Sequence, residues 1–208
     1  MNLLNIAARG GWIMVLILIC SIIAVYVIVE RFMILRKAKI NIKHFMIKLR
    51  SYVSKNELKE AQELCASTQG PIAKVLHKGI RKSDRNIDEV KETIENAGHE
   101  EIYHLEKNMG LLATISGIAP LIGFLGTVTG MIRAFMQIER LEGNVTSTVL
   151  AGGIWEALLT TAAGLIVGIF AFGFYNLLMT RIRRFVFELE TSSNELIELI
   201  IEGKNNEI

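Results

Sequence analysis

Three long runs of apolar sequence constrain this chain more than any other feature. Trp12 to Val29 carries no charged residue, and neither does Leu111 to Ile132. Each comes close to the roughly 20 residues that a helix needs to cross the hydrocarbon of a bilayer. A third run, Val145 to Thr180, has Glu156 as its only ionisable side chain. At about 1.5 Å per residue it would be roughly 54 Å long as a helix, more than a bilayer is thick. It is therefore expected to project past the membrane surface as a continuous helix.

The first run is short and near the N-terminus, but its flanks are those of a retained anchor. Arg31, Arg36, Lys37, Lys39, Lys43, Lys48 and Arg50 follow it, and only Arg9 precedes it. A secretory signal has the opposite polarity and ends in a small-x-small cleavage site, absent here. Basic residues beside a span stay on the cytoplasmic side. The cluster after the first run thus lies inside, as do Arg181, Arg183 and Arg184 after the third, whereas the link between the second and third runs has only Arg140 against Glu139 and Glu142. The expected plan is an outer N-terminus (1–11), a first span (12–30), a cytoplasmic helical domain (31–110), a second span (111–136), an outer link (137–147), a third span (148–179) and a cytoplasmic C-terminal helix (180–208).

The net charge of +2 conceals positive charge concentrated at membrane edges, which is no nucleic-acid-reading face. Cys20 falls in the first span and Cys65 in the cytoplasmic segment, so the two read as packing residues rather than a disulfide. Leu58, Ala61, Leu64 and Cys65 recur at helical spacing, Gly70-Pro71 interrupts, and Ile72, Val75, Leu76 and Ile80 resume the pattern, which describes a helical hairpin. Asn86 followed by Glu89 resembles a capping box. The helix it opens is expected to run through Ile94, Leu105 and Met109 into the second span. After the third span, Ile182, Phe185, Leu189, Ser192, Leu196 and Leu199 alternate at steps of three and four. Such a seam either folds back on the hairpin or pairs with another copy.

Enzyme patterns fail on geometry. His99 and His104 are five apart and point to different faces of a helix, unlike a zinc-protease pair. Gly123, Gly126 and Gly130 lack the preceding strand and the following Lys-Ser/Thr of a phosphate loop. No nucleophile constellation, metal site or cofactor site is expected. The small residues suit helix packing in lipid, where they let backbones approach. Gly126 and Gly130 form one GxxxG and Gly164 and Gly168 another, with Ala151, Gly152, Gly153, Ala157, Ala162 and Ala163 nearby, while the first span is almost entirely Ile, Leu and Val. That contrast predicts a lipid-facing first helix and two inner helices. Pro120 removes one backbone hydrogen bond and is expected to bend the second span, with Ser116 placed to satisfy the freed carbonyl. Thr127, Thr129, Glu156, Thr160 and Thr161 are the polar residues of the inner helices. An ionisable group there is a functional candidate, although each threonine can equally bond a carbonyl four residues back, and Glu156 can snorkel or accept an interhelical bond.

The stretch from Ala113 to Met131, ATISGIAPLIGFLGTVTGM, resembles the second-span motif of the ExbB/TolQ/MotA proton-channel family. Gly153 to Leu165, GIWEALLTTAAGL, resembles its third-span motif, in the expected order. Four spans are expected of MotA-type subunits, so the three-span plan is more similar to ExbB or TolQ. The resemblance implies an all-α membrane protein assembling as a ring, a pentamer around two copies of a single-span ExbD/TolR-type partner whose membrane aspartate accepts the proton. It implies a proton pathway at Thr127, Thr161 and Glu156, with Pro120, Gly123, Gly126, Gly130, Gly164 and Gly168 in helix packing and kinking. It also implies a bacterial inner-membrane location, with TonB- or TolA-type proteins and membrane lipids as further partners. The output would be TonB-dependent import or Tol-type envelope maintenance. A passive helical scaffold with structural threonines is the alternative.

The topology is testable directly. In a background free of Cys20 and Cys65, Asn144→Cys should react with a membrane-impermeant thiol reagent applied from outside the inner membrane, and Asn86→Cys should not. The reverse pattern would overturn the three-span plan.

Overall fold

The computed structural model describes residues 11–38, 40–140 and 147–205. Arg9 and the outer N-terminal segment through residue 10, Lys39, residues 141–146 of the outer link with Glu142 and Asn144, and the final residues 206–208 lie outside the described residues. Among the described residues all regular structure is helical: α1 Gly11–Ala38, α2 Ile42–Ser54, α3 Leu58–Ser67, α4 Pro71–Ile80, α5 Ile87–Glu106, α6 Met109–Arg140 and α7 Ser147–Asn205. Among the described residues, three helical stretches are long and apolar enough to cross a membrane, one for each apolar run. The chain divides into two compact units, one of Met1–Glu30 with Asn108–Leu177, the other of Arg31–Lys107 with Leu178–Ile208.

In the first unit, α1 buries only a narrow stripe, including Ile13, Met14, Ile17, Ala24 and Val27. Trp12, Val15, Leu18, Ile19, Ile22, Val25, Tyr26 and Val29 are exposed, a broad aliphatic face suited to lipid tails. α6 and α7 meet through small residues. A Cβ added at Gly164 would stand 2.5 Å from the Ala119 carbonyl oxygen and 2.9 Å from the Gly123 α-carbon. One added at Gly123 would stand 2.9 Å from the Thr160 carbonyl oxygen and 3.1 Å from the Thr161 α-carbon. Here main chain touches main chain. On one side of this contact Gly168 receives the Pro120 ring, and on the other Gly126 receives the Thr160 side chain, Gly130 receives Ala157, and Gly153 receives Ala134.

Pro120 lies inside a continuous α6. The Ser116 hydroxyl does not serve the carbonyl that the proline frees; it donates to Ala113 O at 2.7 Å. The Ser116 carbonyl oxygen instead faces Gly168, where an added Cβ would approach to 3.2 Å. A serine hydroxyl reaches back along its own helix, which is why Ser116 serves an earlier turn.

The second unit forms around the hairpin expected at Gly70-Pro71. Gly70 adopts φ +141°, outside the usual range for other residues, and Pro71 opens α4 where its missing N–H costs nothing. Ile72, Ala73, Val75, Leu76 and Ile80 are buried. Gly79 leaves room for Ile94, whose Cδ1 would lie 2.7 Å from an added Cβ, and for Leu196 at 3.4 Å. All six seam residues of α7, Ile182, Phe185, Leu189, Ser192, Leu196 and Leu199, are buried within the single chain. Of the two readings of that seam, packing on the chain's own helices is the one observed. Lys78 binds Glu100 at 2.7 Å and Lys74 binds Glu101 at 3.4 Å, joining the surfaces of α4 and α5. The hydrogen bond from Lys78 holds the Glu100 carboxyl below its usual range. Burial pushes the Cys65 thiol up to about 12. Between pH 9.0 and about 12 the folded chain keeps a proton that the unfolded chain loses, so this thiol lowers stability as alkalinity rises and is inert at neutral pH.

The helix expected to run unbroken from Asn86 into the second span is interrupted. α5 ends at Glu106 and α6 starts at Met109, with Asn108 at φ +63°, a left-handed conformation that asparagine tolerates better than most side chains. Arg31 is 2% exposed and donates from Nη1 to His104 O at 2.9 Å, satisfying a carbonyl in the last turn of α5 and placing positive charge at that helix's negative end. In the first unit, Asn108 Nδ2 donates to Glu30 Oε2 at 2.8 Å. Asn86 does cap α5, but its side chain accepts from Asp88 N–H at 3.4 Å, one residue short of the position a capping box uses.

The backbone contact at Gly164 makes a graded prediction. Gly164→Ala must separate two main chains and should destabilise the helix pair by about 1–3 kcal/mol. Gly110→Ala meets nothing within 4 Å and should be neutral or slightly stabilising. Thermal unfolding in detergent, followed by circular dichroism, reads the difference, and equal midpoints would show that the helices do not touch there.

Candidate functional site at the α6–α7 seam

The polar residues of the inner helices are arranged by the glycine seam. Because Gly123 lets the α7 main chain come close, the Thr161 hydroxyl reaches across and donates to Gly123 O at 2.9 Å. The Thr127 hydroxyl donates to the next carbonyl along α6, that of Phe124, at 2.6 Å. The two threonines therefore stand at one level of the helix pair, their protons committed to consecutive carbonyls. A hydroxyl that donates still has lone pairs to offer. What each threonine can present to a water or to a protonated carboxyl is an acceptor.

Two further hydroxyls, those of Thr160 and Thr129, bond carbonyls of their own helices. Thr160 is 1% exposed, donates to Ala157 O at 2.9 Å and Glu156 O at 3.2 Å, and fills the hollow at Gly126. Thr129 donates to Leu125 O at 3.0 Å within its own helix. In the second unit, His99 and His104 are both exposed, as their five-residue spacing along α5 allows.

Glu156 neither snorkels alone nor accepts from a neutral group. Its Oε1 lies 2.6 Å from Nη1 of Arg133, a residue that sequence reading passed over because the apolar run closes at Ile132. The signal was present: opposite charges stand at matching ends of two antiparallel runs joined by a short link. Gly11, at φ +63°, comes so close that an added Cβ would stand 2.7 Å from Glu156 Oε1 and 3.3 Å from Arg133 Nη1. The structure thus brings Gly123, Gly126, Gly130, Gly164, Gly168, Pro120 and Thr161 to a single seam, while Thr127, next to Gly126 in sequence, bonds within α6. Glu156 is five residues from Thr161 and Arg133 six from Thr127, about 7.5 to 9 Å along the helices.

A family model described as the MotA/TolQ/ExbB proton channel family matches residues 67–191, which include both threonines, the ion pair and the whole glycine seam. The biopolymer transport protein exbB1 of Vibrio cholerae is 31% identical over 192 residues, covering 89% of this chain and 82% of that protein. An ExbB homolog of Methanothermobacter thermautotrophicus is 28% identical over 182 residues, covering 87% of this chain and 64% of that protein. The Tol-Pal system protein TolQ of Haemophilus influenzae is 41% identical over 86 residues, covering 41% of this chain and 37% of that protein. The chain thus spans less than two thirds of the length of the archaeal relative and of TolQ. A match across more than half the chain, centred on the helix pair that carries the threonines, places the chain in the MotA/TolQ/ExbB proton channel family.

Proposed function

We propose that this chain is the multi-helix subunit of a bacterial inner-membrane motor that converts proton motive force into mechanical work. The observation that carries the reading is the pair of threonine hydroxyls at one level, each donating to an α6 carbonyl and each left with acceptor capacity. A proton moving through an apolar interface needs hydrogen-bond partners, because an unpaired polar group there costs several kcal/mol. Among the described residues no free carboxylate stands at that level. A single-span partner of the ExbD/TolR type, with one membrane aspartate, would supply the acceptor, and Thr127 and Thr161 would receive hydrogen bonds from it when it is protonated. Charging and neutralising the aspartate would change which interface it prefers. One proton crossing 100 mV releases about 2.3 kcal/mol, so a few would drive the partner against the ring.

A pentamer around two partner helices is part of the same proposal. A Cβ added at Gly117, Gly152 or Gly173 would meet nothing within 4 Å among the described residues. Glycine weakens a helix by roughly 0.5–1 kcal/mol relative to alanine, so small residues left open suit approach by another helix. The work would be delivered across the envelope through a TonB- or TolA-type protein, for outer-membrane import or envelope maintenance. The inner-membrane location, with the N-terminus outside and the C-terminus inside, follows from the distribution of basic residues and belongs to this reading. A scaffold that merely assembles would use the same glycines.

Valine, which keeps the shape of threonine and lacks its hydroxyl, separates motor from scaffold. Thr127→Val and Thr161→Val should leave the complex recoverable yet abolish energy-dependent uptake or envelope integrity in cells. Thr161→Val also removes an interhelical bond, a loss of about 0.5–1.5 kcal/mol. Serine at either position should restore part of the activity. Wild-type activity in both valine variants, with intact complexes, would sink the proposed path.

A further inference from the structure

Glu156 is held in place by Arg133 on α6 and by the Gly11 main chain on α1. Arg133 Nη1 is 2.6 Å away, with the Arg133 side chain 44% exposed and that of Glu156 22%. The Gly11 main chain on α1 stands directly against the carboxylate. Gly11 can approach this closely because it has no side chain: a methyl there would meet Glu156 Oε1 at 2.7 Å, so the carboxylate is confined between α1, α6 and α7. Among the described residues, Arg133 is the charged group recorded against Glu156, and the Gly11 main chain closes the other side.

We infer that Arg133 and Glu156 are positioning residues: the pair clamps α6 to α7 against Gly11 of α1, in the register that holds the Thr161 hydroxyl on Gly123 O, and Glu156 does not itself carry protons. To act as a proton carrier, Glu156 would have to leave its 2.6 Å contact with the guanidinium and swing out of a space bounded by main chain. A clamp needs none of this. It requires only that the two charges cancel, so removing both is less damaging than removing one, because a lone charge left in a poorly solvated site is the costly state.

This inference rests on the motor reading for its functional part, but its structural part stands alone, and the test keeps them apart. Arg133→Gln, Glu156→Gln, the double variant and Arg133→Lys are compared in the full chain. The thermal unfolding midpoint of the purified chain in detergent should fall by several degrees in Arg133→Gln, and the double variant should recover a large part of that loss. In cells carrying the complete complex, proton-motive-force-dependent uptake should drop sharply in each Gln variant, recover substantially in the double, and largely persist in Arg133→Lys. The pH profile of the double variant should keep the wild-type midpoint. If Glu156→Gln is inactive both alone and with Arg133→Gln while the chain is stable, Glu156 is a proton carrier and the inference is overturned. If the thermal losses of the single variants simply add, there is no clamp. If the wild-type chain shows no proton-motive-force dependence, the motor reading fails, and the thermal comparison still decides the clamp.

Discussion

The first unit depends on the close approach of two main chains at Gly123 and Gly164. In lipid there is no hydrophobic gain from bringing apolar helices together, so contact must come from close packing and from hydrogen bonds that proximity permits. Glycine supplies the first and thereby the second. Only because no side chain stands at Gly123 can the Thr161 hydroxyl reach that residue's carbonyl. The same absence at Gly126 makes room for Thr160. Packing and chemistry are therefore one feature here, and the threonines cannot be understood apart from the glycines that admit them.

The second unit is organised by a different rule. Its seam residues on α7 are large, and they bury against α4 and α5 with Gly79 as a local exception that accommodates Ile94 and Leu196. A helix such as α7 changes composition along its length accordingly. From Gly153 to Gly168 its contacts use glycine and alanine, and from Ile182 to Leu199 they use Leu, Ile and Phe. The change marks where the driving force passes from van der Waals fit to removal of apolar surface from water.

Much of this was legible in the residues. Charge-free runs, the Gly70-Pro71 break and the three-four spacing after Arg181 each depend on local chemistry, and each can be read from a short window. What escaped depended on groups far apart in sequence. The break at Asn108 was hidden because Lys107-Asn108 is no strong breaker; it becomes one where the Arg31 side chain caps the carbonyls before it and Asn108 reaches Glu30. Arg31 was legible only as a topological signal, although it is almost wholly buried. Arg133 was lost at the edge of an apolar run, and its meaning lies 23 residues away at Glu156. The seam of α7 left two readings open because burial by the same chain and burial by another copy have the same pattern. The threonines were recognisable as candidates, but which carbonyl each would choose is decided by the distance between helices, which no sequence window contains.

The ion pair has an electrical consequence. Arg133 and Glu156 sum to zero, and the apolar runs on α1, α6 and α7 add no other charge. A membrane potential does about 2.3 kcal/mol of work per 100 mV on an elementary charge that moves through it, but on two opposite charges moving together that work cancels. The pair, taken as a unit, is electrically silent. Displaced as a unit, the pair gives the membrane field no net charge on which to do work.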